Sequence, residues 1–225
     1  MTTPALAAAA AERSLNTSQR RDRPSQRRSS EPSASRAAVL APLSGIELRE
    51  AAGGTGALEF LGHATVYERG YEMWDYFGPY TEIVSAGAAT ETLARTDLDV
   101  PLVLGHDQLR RMARTSTGTL LLSEDDTGLS VHAPALDPAD YDVAYIAPKL
   151  RAGLIDEMSF AFRIESGQWS PDYTEYRINR FDIHRGDVAI VGYGANPHTG
   201  ASLRQPEAAP VNSRARALLK IALAR

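Results

Sequence analysis

From Ala57 onward the chain alternates short apolar runs with polar turns, and those runs predict most of the fold. Leu58, Phe60 and Leu61, then Ala64, Val66 and Tyr67, predict a strand with a break near Gly62-His63. Trp74 to Tyr80 is an aromatic loop containing Gly and Pro, and Ala88 to Arg95 predicts a short helix. Leu102-Val103-Leu104 is a short, fully apolar strand. Thr119–Ser123 and Leu129–Ala133 flank Glu124-Asp125-Asp126-Thr127-Gly128, a hairpin signal in which Gly128 is available for a positive φ. Ile155–Ile164 predicts a strand in which Ser159, Ala161 and Arg163 share one face and Phe160 and Phe162 the other. A hairpin through Gln168–Asp172 leads into Tyr173–Ile183. Asp187–Val191 is a final strand, followed by a loop over Gly192–Pro197.

One longer helix interrupts the strands. Asp137 is placed to cap it, Pro138 suits its first position, and Asp140 faces its positive end. Pro148, which supplies no amide proton, should break or kink it, and Gly153 offers a stop. Many short strands with few helices predict a mainly β, α+β domain, either barrel or sandwich.

The two ends read differently. Residues 1–45 are Ala, Ser, Arg, Gln and Pro with almost no large apolar side chains, so burial cannot offset chain entropy and disorder is expected. Arg20, Arg21, Arg23, Arg27 and Arg28 form a basic cluster there. The domain expected over 46–204 is followed by a Pro-containing linker and a C-terminal helix within 205–225. That helix has Leu218, Leu219 and Ala222 on one face and Arg214, Arg216 and Lys220 on the other.

Composition narrows the chemistry. An apolar fraction of 43% in 225 residues suffices for one core. The formal charge of −4 argues against general nucleic-acid binding, and lysine occurs only at Lys149 and Lys220. The absence of cysteine excludes disulfides and thiol catalysis. No apolar run approaches the roughly 18 residues of a membrane span, and the alanine-rich start lacks the basic leader of a signal peptide. His63, His106, His132, His184 and His198 lie far apart with no H-x-x-x-H pair, which argues against a metal site. No cofactor is expected.

Three residue types that make a nucleophile stand in informative places. Ser159 lies in the alternating strand, His106 ends an apolar run, and Asp187 opens another. Five segments in order carry a resemblance: Ser85-Ala86-Gly87-Ala88-Ala89, Val103-Leu104-Gly105-His106-Asp107, Ser123 to Val131, Met158-Ser159-Phe160-Ala161-Phe162, and Asp187 to Pro197. Together, over about residues 57–200, the chain resembles the tailed-phage prohead proteases, capsid-maturation serine proteases related in fold to herpesvirus assemblins.

The resemblance implies an assemblin-like antiparallel β-barrel flanked by a few helices. It implies Ser159 as nucleophile, His106 as general base and an acid as third member. The family usually has Glu where this chain has Asp187; Asp107, Asp182 and His184 are further candidates for that place. No motif marks the oxyanion donors, for which the loop Gly192–Ala195 is the candidate segment. The implied activity is endopeptidase cleavage of scaffold, or of the N-terminal arm of the major capsid protein, and of the chain itself. It would take place inside the assembling procapsid in the host cytoplasm, with possible self-association and no membrane. The alternative is a non-catalytic, β-rich assembly or scaffold protein that keeps the fold.

Overall fold

Alternating large apolar and small or polar side chains build two open sheets in the computed structural model, which describes residues 3–17, 22–24, 46–51 and 56–192. The first sheet is antiparallel and has the order β1-β2-β8-β7: β1 (Glu47–Glu50), β2 (Leu58–Val66), β8 (Gly128–Leu136) and β7 (Leu121–Glu124). The second runs β3 (Tyr71–Asp75), β4 (Gly78–Val84), β10 (Glu175–Val191), β5 (Pro101–Leu104), β6 (Arg111–Arg114), with β9 (Glu157–Trp169) paired to β10.

The mainly β expectation holds, and no closed barrel is found among the described residues. Nor is the pairing wholly antiparallel. β10 runs antiparallel to β9 but parallel to β4 and to β5. It is long enough to pair with β4 through its first half and with β5 through its second. The two strands predicted over Tyr173–Ile183 and Asp187–Val191 are therefore one.

The core lies between the sheets. Phe60, Leu129 and Val131 come from the first sheet; Leu102, Met158, Phe181, Val188 and Ile190 come from the second. At Gly62 the sheets approach so closely that a Cβ would stand 2.7 Å from Met158 Sδ. The break predicted near Gly62-His63 is only a register shift between His63 and Thr65. The predicted aromatic loop is the β3–β4 hairpin, closed around Gly78. Gly128 opens β8 for another reason than a positive φ: a Cβ there would stand 1.9 Å from the Thr65 carbonyl oxygen.

Two helices correct the local reading. The helix predicted over Ala88–Arg95 shortens to α2 (Thr90–Leu93), whose start is held by Glu124: the carboxylate accepts from Ala89 N at 3.1 Å and Thr90 Oγ1 at 2.6 Å. α3 (Tyr141–Arg151) is capped by Asp140, which accepts from Asp142 N and Val143 N at 2.9 and 3.0 Å, while Asp137 closes a separate turn onto Ala139 N. Pro148 does not break α3. It sits in the last turn, where Gly153 at φ 64° closes the end through bonds from Gly153 N to Leu150 O and from Leu154 N to Lys149 O.

The N-terminal segment is the larger correction. Pro4–Leu15 form a helix, α1, capped by Thr3, where composition predicts disorder. What composition misses is Arg13, which is fully buried. Its guanidinium binds Asp75 through two nitrogens, at 3.0 and 2.7 Å, donates to the carbonyls of Gly78, Pro79 and Tyr173, and lies over the rings of Tyr80 and Trp169. Small Ala9 and Ala10 let the helix approach the β3–β4 hairpin. Of the basic cluster, only Arg23 is described; its Nη1 donates to the Ile164 carbonyl of β9. The predicted C-terminal helix lies outside the described residues.

Candidate active site

The site begins with a tight turn. β5 ends at Leu104, and Asp107 N bonds back to Leu104 O at 3.0 Å across Gly105 and His106, both at φ 61°. Positive φ at both central residues is the signature of a type I′ turn. Glycine adopts it freely; histidine is among the few side chains enriched there. A non-glycine residue held at positive φ costs free energy, and such residues cluster at functional sites. The turn lifts His106 off the end of β5 onto the sheet face away from the main core, where Val103, Ala189 and Val191 form a small second apolar cluster.

On that face His106 Nδ1 meets Asp187 Oδ1 at 2.6 Å. Asp187 is 2% exposed, so its carboxylate requires internal partners. Its second oxygen accepts from Gln108 Nε2, also at 2.6 Å. Gln108 is positioned in turn by Arg111, whose guanidinium donates to the Gln108 main-chain oxygen at 2.6 Å and to Oε1 at 3.2 Å. With Oε1 so engaged, the Nε2 end of the amide faces Asp187. Nothing in the sequence marked Gln108: a glutamine in a polar turn carries no signal until the turn is built.

Asp187 reaches this face because of an irregularity in β10. Asp182 pairs with Arg163, and Asp187 pairs with Ala161. Between those pairs β10 advances five positions while β9 advances two. Regular pairing would have put His184 opposite Ala161; the bulge puts Asp187 there. Arg185, at φ 58°, and Gly186 absorb the extra length. The bulge also separates the other candidates for the third member. His184 Nδ1 accepts from Asp99 N at 3.2 Å. Asp182 accepts from Thr92 Oγ1 at 3.0 Å. Asp107 accepts from Leu109 N at 2.9 Å within its own turn. Among the described carboxylates, Asp187 is the one bonded to His106.

Ser159 lies on the adjacent strand and the same face. It pairs with Ala189, which pairs with Val103, so serine, alanine and valine form one row across β9, β10 and β5. Asp187 is one diagonal step from Ser159, a separation of roughly 7–8 Å between Cα atoms. The predicted alternation holds, with Phe160 and Phe162 stacked at 4.1 Å on the opposite face. The half-buried Ser159 hydroxyl makes no hydrogen bond to His106. The structure thus brings His106 and Asp187 into contact and sets Ser159 beside them without closing the third contact. Of the candidate oxyanion segment, Gly192 alone is described.

The other described histidines are engaged separately, His63 with Asp125 at 2.7 Å and His132 with Glu59 at 2.8 Å. Among the described residues no group of three His, Cys, Asp or Glu could hold a metal, and no helix is long and apolar enough to cross a membrane.

A family model described as caudovirus prohead serine protease matches residues 44–214. No curated protein and no solved structure matches the chain.

Proposed function

The chain belongs to the caudovirus prohead serine protease family, and on that premise we propose that Ser159, His106 and Asp187 are its nucleophile, general base and orienting acid. The observation that carries the assignment is the contact of His106 Nδ1 with Asp187. It commits one ring nitrogen as an N–H donor and leaves Nε2 as the basic nitrogen, on the face that also carries Ser159. His106 Nε2 takes the proton of Ser159 Oγ as the oxygen attacks the scissile carbonyl. It then returns the proton to the leaving amine as the acyl–enzyme forms. Water repeats the sequence and frees Ser159. Asp187 stays ionised throughout and stabilises the imidazolium, with Gln108 holding its other oxygen.

The proposed substrates are the scaffold or the N-terminal arm of the major capsid protein, and the chain itself, cleaved inside the procapsid. The segment after residue 204 would serve incorporation into the procapsid rather than catalysis. The test is coexpression with the capsid protein of the same virus, followed by intact-mass measurement. Wild type should yield shortened capsid protein, and Ser159→Ala full-length protein; shortening that survives Ser159→Ala contradicts the assignment.

The second reading, a non-catalytic assembly protein, draws on one observation, the lack of a hydrogen bond between the Ser159 hydroxyl and His106. Catalytic hydrogen bonds are often long without substrate and tighten in the Michaelis complex, so the protease reading stands ahead of it.

A further inference from the structure

On the β5–β6 side of β10, beside the His106–Asp187 pair, lies a cleft of about 330 Å3 lined by Asp99, Gln108, Arg111, Arg114, Arg185 and Gly186. Three arginines and one aspartate line it. Arg114 is committed to that carboxylate: both of its donating nitrogens reach Asp99, which Ser116 also bonds. Arg111 is held, among the described residues, by neutral partners only, the oxygens of Gln108. The exposed Arg185 side chain makes no hydrogen bond or ion pair among the described residues, although its backbone is fixed by a bond from Arg185 N to Asp99 O at 2.9 Å. By contrast Arg49, Arg95, Arg110, Arg177 and Arg180 each meet a carboxylate. In a chain of net charge −4, the cleft is a local excess of two positive charges.

We infer that this cleft is a substrate subsite for an acidic side chain, with Arg185 and Arg111 as the partners of its carboxylate. The inference rests on the protease reading and names part of its specificity. A guanidinium presents a planar fork of donors that matches a carboxylate. The link to chemistry is Gln108, whose Oε1 faces Arg111 while its Nε2 holds Asp187, and Gly186, which directly precedes Asp187. A peptide laid across Ser159 and His106 would therefore place a carboxylate here a few residues from the bond being cut. Because Arg111 also positions Gln108, Arg185 is the cleaner probe of the subsite.

The experiment uses the full chain carrying Ser159→Ala and two fluorescein-labelled peptides of equal length, one alternating alanine with glutamate, the other alanine with glutamine. Fluorescence anisotropy should show tighter binding of the glutamate peptide, weakening with added salt. Adding Arg185→Ala should weaken it about fivefold, the weight of one partly exposed charge pair. Arg177→Ala, at the far end of β10, should leave it unchanged. Equal binding of the two peptides overturns the subsite, as does equal weakening by Arg185→Ala and Arg177→Ala. Turnover by wild type decides the protease reading separately: cleavage with no preference for acidic peptides sinks the subsite and leaves the catalytic assignment standing.

Discussion

Gly186 packs against Ala161 so closely that a Cβ on it would stand 1.8 Å from the Ala161 carbonyl oxygen. This contact lets β10 bulge between Asp182 and Asp187 while remaining paired to β9, and so sets Asp187 on the face of Ser159. Gly186→Ala should therefore shift Asp187 as well as strain the sheet. We expect a loss of about 2 kcal/mol in stability by urea unfolding, in the range of overpacked sites, and a larger proportional loss of peptidase turnover. Unchanged turnover in the folded variant would show that the bulge does not position the acid.

Asp187→Asn should reduce turnover by roughly 10⁴, because an amide favours the wrong imidazole tautomer. Asp107→Asn and His184→Ala should have small effects, since neither side chain meets His106. Steady-state kinetics on the three variants checks this. A silent Asp187→Asn beside a damaging His184→Ala would move the third member to His184.

Arg13→Ala should destabilise the domain by about 3–5 kcal/mol, the usual result of removing one partner of a buried ion pair. It takes the guanidinium away from Asp75, which keeps the Phe77 amide, and from three carbonyls. The denaturant midpoint should fall sharply, with the m-value little changed. A midpoint equal to wild type would mean that α1 adds nothing to the folded state.

What the sequence disclosed and what it hid have physical causes. The face of Ser159 is legible because a strand alternates with period two and the apolar Met158 and Phe160 bracket it. The place of Asp187 was not, since a bulge adds residues without any local signal except a glycine, and pairing without it favours His184. α1 was hidden because its anchor is a single arginine amid alanines, and an arginine reads as solvated until the carbonyls that bind it are assembled. The cap of α3 lies at Asp140 rather than Asp137, both being aspartates able to accept from a first turn, and Pro148 is tolerated because a helix that starts there puts it in the last turn. The parallel pairing of β10 arises from strand length and sheet order, which no short window contains.

Asp99 supplies a pH dependence. The Arg114 guanidinium beside it, with Ser116, lowers its carboxyl to about 2. The folded value lies below the ordinary one, so the stabilisation is fully present above the ordinary carboxylate value and is lost as pH falls toward 2. Thermal melts across that window should show a steeper acid loss for wild type than for Asp99→Asn. Parallel curves for the two proteins would remove Asp99 from the acid transition.

If His106 makes Ser159 nucleophilic, the purified full chain should react with a fluorophosphonate at that serine, the modified residue being mapped by peptide mass spectrometry. Attack by the serine oxygen on phosphorus expels fluoride and leaves a stable phosphonyl ester. One adduct is expected, on Ser159, lost in His106→Ala and strongly slowed in Asp187→Asn. Absence of an adduct, an adduct on another residue, or equal labelling of Ser159 in His106→Ala would rule out activation of Ser159 by His106.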